Sequence, residues 1–140
     1  MTNSRSVARY TLSKTIELRG FQREAARLVS EIKRLEERIA QVKSLEESYR
    51  QHLAMPNLSV MEYRSVIDIF RKLGERKTID EARLELLVNE RIHITQMLAQ
   101  KQQHINKLED EVQKLRKNEQ NERDARAERL IPARRNSNGI

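Results

Sequence analysis

The chain has 140 residues, of which 37% are hydrophobic and 35% are charged, so it is poorer in apolar and richer in charged residues than a globular domain of its length. With three Gly and two Pro it is short of turns, and with no Cys it has no disulfide, iron–sulfur or thiolate zinc chemistry. Leu, Ile, Val and Phe still make up a quarter of the residues, above the level at which disorder is expected, which leaves long amphipathic helices as the reading. The longest apolar run is three residues, as in Leu86-Leu87-Val88, so neither a membrane span nor a signal-peptide core is present and a cytoplasmic protein is expected. The formal charge of +7 is concentrated at the ends: residues 1–34 hold eight Lys or Arg against three Glu, and residues 116–140 hold seven against four acids. Such a balance suits an acidic protein surface, a nucleic acid or an anionic lipid, or simply a solvated helix face.

In chain order, Phe21, Ala25, Leu28, Ile32, Leu35, Ile39 and Val42 alternate in spacings of four and three, which predicts a coiled-coil helix over about residues 6–53. Leu45, three residues after Val42, predicts a slip in the winding before Tyr49 and Leu53 resume the pattern. Ala54-Met55-Pro56-Asn57-Leu58 ends this helix, because Pro56 removes an N–H and restricts Met55. Ser59-Val60-Met61-Glu62 matches a capping box and starts a second helix, about 59–130. Its seam runs Val66, Phe70, Leu73, Lys77, Asp80, Leu84, Leu87, Arg91, Ile94, Leu98, Lys101, Ile105, Leu108, Val112 and Leu115. The polar members Lys77, Asp80, Arg91 and Lys101 are expected to hold their charges in water while their stems lie along the seam. Gly20 and Gly74 mark plausible bends.

The short connector over 54–58 predicts an antiparallel two-helix hairpin, an all-α fold forming one domain over 1–131 with a disordered tail over 132–140. Centring the turn near residue 56 sets Leu28 opposite Leu84, Ile39 opposite Leu73, Val42 opposite Phe70 and Ser6 opposite Asn106. The second helix then overhangs from residue 107 to about 130, roughly 35 Å, with Leu108, Val112 and Leu115 left as an exposed docking or dimer stripe.

No phosphate loop, dinucleotide fingerprint or catalytic triad spacing occurs, and His52, His93 and His104 are too far apart in sequence to pair on one helix face. No enzymatic activity, cofactor or metal is expected. Between Leu45 and Leu73 lie more apolar side chains than a two-helix seam covers, among them Met55, Leu58, Val60, Met61, Tyr63, Ile67 and Ile69, so the tip reads either as a partner-binding surface or as a loop folded over the hairpin end.

The first helix closing in Leu45-Glu46-Glu47-Ser48-Tyr49-Arg50-Gln51-His52-Leu53, the short polar turn, and Tyr63, Val66, Ile67 and Phe70 opening a longer second helix together resemble the FliJ-like family, the stalk proteins of flagellar and virulence type III export ATPases. The resemblance spans about residues 7–130. It implies a non-enzymatic coiled-coil stalk, cytoplasmic and peripheral to the inner-membrane export apparatus, that links the export ATPase hexamer to the cytoplasmic domain of the export gate, with secretion chaperones as further partners. Carried onto this chain, the gate contact falls on Tyr63, Val66, Phe70, Leu73 and Lys77, and the ATPase contact on Arg19, Arg23, Arg27, Arg123 and Arg126 at the open end. The alternatives are a nucleic-acid-binding coiled coil, disfavoured by Glu17, Glu24 and Glu31 inside the basic segment, and a passive scaffolding coiled coil.

Overall fold

A computed structural model describes the backbone of residues 3–138 and the side chains of residues 3–131. It contains two α-helices, α1 (Ser4–Leu53) and α2 (Val60–Asn138), and no strand among the described residues. Asn3 caps α1: its Oδ1 accepts the Ser6 N–H at 2.8 Å, so the helix starts at Ser4, two residues before the start expected at about residue 6. At the other end Ala54 N–H and Met55 N–H bond the Gln51 and His52 carbonyls, each at 3.2 Å, a tightened last turn that Pro56 stops. Ser59 opens α2, its Oγ accepting the Glu62 N–H at 3.2 Å and its carbonyl the Tyr63 N–H at 2.9 Å. The backbone of α2 remains helical past Pro132 to Asn138, into the tail predicted from sequence as disordered. Around Pro132 water can satisfy the carbonyl it leaves without a donor, because residues 121–131 are all exposed. Residues 139 and 140 lie outside the described residues.

The two helices form a hairpin in which the chain divides into two units, Met1–Phe21 with Met97–Ile140, and Gln22–Gln96. In the Gln22–Gln96 unit the α1 seam is aliphatic and closed: Leu28 is fully buried, and Ile32, Leu35, Ile39 and Val42 are buried with it. Burying each such side chain contributes about 1.5–3 kcal/mol. The predicted slip at Leu45 is absent. Leu45 stays exposed and Glu46 takes the seam position four residues after Val42, followed by half-buried Tyr49 and Leu53 in unbroken heptad spacing. A glutamate can sit there because Lys77 Nζ lies 3.0 Å and 3.1 Å from its two carboxylate oxygens. Asp80 also departs from the sequence expectation: its side chain is too short to carry the charge to water, and it is 2% exposed, with Arg76 Nε at 3.5 Å and Arg38 Nη1 at 3.8 Å. Arg91, at the seam spacing, does swing out to solvent.

In the other unit, the seam extends to the very start of α1 through Ser4, Val7, Thr11 and Leu18, all buried, facing buried Ile105 and Val112 on α2. Ser4 meets Glu119 directly, its N–H on Oε1 at 3.0 Å and its Oγ–H on Oε2 at 2.8 Å. Lys101 keeps part of its head in water while its Nζ stands 4.8 Å over the Phe21 ring and 3.9 Å from Glu17.

These pairs correct the register. Ser4 meets Glu119 in one unit and Glu46 meets Lys77 in the other, so α1 faces α2 about three turns further along than the sequence-centred turn allows. The reason lies at the tip: Val60–Ser65, the first residues of α2, are all exposed, and α2 first joins the seam at buried Val66. Hence Leu28 does not face Leu84, Ile39 Leu73, Val42 Phe70 or Ser6 Asn106, and the overhang starts after Glu119 rather than at 107. Leu108, Val112 and Leu115 are half-buried or buried against the start of α1, next to Val7 and Thr11, and form no exposed stripe. Neither Gly20 nor Gly74 interrupts its helix, and a side chain at either would meet nothing within 4 Å.

Candidate functional site

At the tip, the helix start fixed by Ser59 lifts α2 clear of α1 for its first turn and a half. Val60, Met61 and Tyr63 are thereby exposed, as is Met55 in the connector, while Leu58 is half-buried. The loop thus covers part of the hairpin end and leaves the rest open. Tyr63 and Ile67, one helical turn apart, form the apolar floor of a shallow groove walled by Arg64, Asp68 and Arg71. Asp68 is held below the usual aspartate range by a hydrogen bond and charge from Lys72, with Arg71 adding to it at 2.6 Å. The groove therefore presents an apolar centre with walls of mixed charge, the Asp68–Arg71 ion pair and Arg64.

Of the five tip residues proposed from sequence, the structure leaves only Tyr63 widely open. Val66 is buried in the seam, Phe70 and Leu73 are half-buried, with the Arg50 guanidinium 5.8 Å from the Phe70 ring centre, and Lys77 is committed to Glu46. The groove instead adds Ile67, and the first turn adds Val60 and Met61. All three are among the tip residues that the sequence holds in excess of what a seam covers: they fall off the heptad positions yet are large and apolar, which is the signal of a second face.

The five basic residues proposed for the open end do not form one cluster. In the unit containing the chain ends, Arg19 stands near the level of Lys101, whereas Arg123 and Arg126 lie beyond Ser4, about 30 Å up α2 by helical rise. Arg23 and Arg27 belong to the other unit. Arg27 is bound to Glu24 and Glu31 on its own helix, which holds Glu24 below the usual glutamate range. What does assemble at the chain ends is a cleft of Ser4, Arg5, Arg116, Glu119, Gln120 and Arg123. Glu119 sits at its centre with its carboxyl held down by the Ser4 N–H, then the Ser4 hydroxyl, and by the charges of Arg123 and Arg116. A carboxylate on the first N–H of α1 also meets the positive end of that helix dipole.

The histidines His52, His93 and His104 are exposed and separate, His104 standing edge-on to the Tyr10 ring at 6.4 Å. Among the described residues no helix is long and apolar enough to cross a membrane, and no three His, Asp or Glu side chains group as a metal site. No family model, no curated protein and no solved structure matches the chain.

Proposed function

We propose that the protein is a non-enzymatic coiled-coil stalk of a bacterial type III export apparatus, virulence or flagellar, that joins an export ATPase to the cytoplasmic domain of the export gate. It would work in the cytoplasm at the inner membrane and carry no cofactor. The observation that carries this reading is the unpartnered apolar tip: a hairpin whose second helix starts ahead of its own seam offers Val60, Met61 and Tyr63 to another protein at no cost to its packing. The resemblance of the Leu45–Leu53 and Tyr63–Phe70 segments to FliJ-like stalks supplies the identity of that partner. The basic residues near the chain ends, Arg123 and Arg126 with Arg5 and Arg116, supply a surface for an acidic ATPase face.

The test is purification of the tagged chain from its native cell, followed by the Val60→Ser/Met61→Ser/Tyr63→Ser variant. The export ATPase and the gate domain should co-purify with the unaltered chain, and the variant should keep the ATPase, lose the gate and melt unchanged. Nucleic acid in place of both proteins would establish the nucleic-acid-binding alternative and end this reading.

A further inference from the structure

Beside its apolar seam, α2 carries a second stripe at the same spacing. Lys72, Arg76, Ile79, Arg83 and Leu86 follow one another at alternating intervals of four and three, so they share one flank of the helix. Ile79 and Leu86, two helical turns apart on that flank, are 61% and 71% exposed, so the stripe carries an apolar pair between its cations. From α1, Arg34 and Arg38 reach the same flank and join Arg83 and Glu31 around a cleft floored by Leu35 and Leu87. Of the anionic groups nearby, Glu31 is committed to Arg27, Asp68 to Arg71 and Lys72, and Asp80, buried, lies between Arg38 and Arg76, while Glu90, the next stripe position after Leu86, enters no ion pair among the described residues and ends the cationic stretch. Arg34 and Arg83 enter no ion pair among the described residues.

We infer that this flank of the Gln22–Gln96 unit is the docking face for an acidic amphipathic helix of a partner protein, which covers Ile79 and Leu86 and sets carboxylates against Arg34, Arg38, Arg76 and Arg83. The heptad spacing of the stripe matches the ridges of another helix, so the partner segment is helical and lies along α2. Charge selects the occupant. A second copy of this chain, laid face to face, would bring the same arginines against each other, and a nucleic acid would leave the two aliphatic side chains uncovered and meet Glu31 in the cleft. The face lies away from the Tyr63 and Ile67 groove and holds whichever machine the tip serves.

A fluorescein-labelled three-heptad peptide with Leu at its seam positions and Glu beside them tests this by anisotropy, with a peptide of the same composition in scrambled order and a single-stranded DNA as comparisons. Binding at micromolar concentration is expected for the ordered peptide only. Arg34→Glu/Arg83→Glu and Ile79→Ser/Leu86→Ser should each weaken it by about tenfold or more, and Leu12→Ser/Ile16→Ser, elsewhere on the surface, should not. All six substituted residues are exposed, so circular dichroism should show the helix content of the parent, and either pair alone decides the matter. Equal binding of the scrambled peptide or of DNA, indifference to Ile79→Ser/Leu86→Ser, or no binding by the ordered peptide overturns the inference. So does self-association of the chain that the same pair abolishes, which would make a second copy the occupant.

Discussion

The two units of the hairpin are built on one heptad repeat and held by different forces. Along α1 in the Gln22–Gln96 unit the seam is Leu28, Ile32, Leu35, Ile39 and Val42, an unbroken aliphatic run. In the unit of the chain ends the same repeat reads Ser4, Val7, Thr11, Lys14 and Leu18, and the pairing is completed by Ser4 on Glu119 and by Lys101 over Phe21. An aliphatic seam gains free energy from almost any register that keeps apolar facing apolar. A polar pair gains only in the register that brings donor to acceptor, and leaves an unsatisfied group in any other. Stability in this hairpin therefore comes mainly from the aliphatic unit, and register from Ser4–Glu119 and Glu46–Lys77.

The largest break in that contrast should come from Leu28→Ala, which opens a cavity at a fully buried position and should cost about 2–4 kcal/mol in urea denaturation followed at 222 nm. Val7→Ala, in the polar unit, removes less volume and should cost about half as much. Equal losses from both would mean that the two seams contribute alike.

Next in size is the buried ion pair. Lys77→Met strands Glu46 at a position 7% exposed and should destabilise by about 2–3 kcal/mol, whereas Glu46→Leu/Lys77→Met together should recover most of that loss or exceed the parent. The recovered variant sharpens the comparison if it populates alternative registers, visible as a second set of crosslinks, while remaining stable.

Phe70→Ala should follow with a smaller loss, about 1–2 kcal/mol, because its ring is half-buried at the end of the seam and already shared with the Arg50 guanidinium. A loss as large as that of Leu28→Ala would make the tip a structural centre and remove the room for a partner there.

The smallest effect is one of pH. The Glu119 carboxyl is held below the usual glutamate range by Ser4, so its contribution is present above the unfolded value and fades as pH falls through the folded one. Hydrogen exchange of the Ser4–Thr11 amides should therefore quicken as pH drops below the ordinary glutamate range, after correction for intrinsic rates, and Glu119→Gln should show that faster exchange already at neutral pH. Unchanged protection in Glu119→Gln would show that Val7 and Leu18 hold this end unaided.

Much of this was legible in the sequence, for identifiable reasons. The helix boundaries at Leu53 and Val60 followed from Pro56 and Ser59, whose effects are local. The α2 seam was read position by position, with only Arg91 out of place, because a heptad written in Leu, Ile and Val is its own marker. The α1 seam was misread at both ends, where Glu46, Thr11 and Ser4 hold core positions: polar residues become seam members only through partners far along the chain, and a one-helix pattern carries no trace of Lys77 or Glu119. The register failed for the same reason, since a turn centre counted from Pro56 cannot register that α2 runs free for six residues before Val66. At the site, Tyr63 was found by composition, whereas Val66 and Lys77 were lost to the hairpin itself.

Register is the claim on which everything else here rests, and crosslinking with a short bis-thiol reagent such as dibromobimane measures it directly. In one sample cysteines replace Ser4 and Glu119, and in another Ser6 and Asn106. The first pair should close within one chain at high yield and the second should not, because the Ser4–Glu119 pair puts Asn106 roughly eleven residues, about 16 Å, from the level of Ser6. Closure of Ser6→Cys/Asn106→Cys with none in Ser4→Cys/Glu119→Cys, or crosslinks only between chains, would contradict the hairpin register and the polar clamp that sets it.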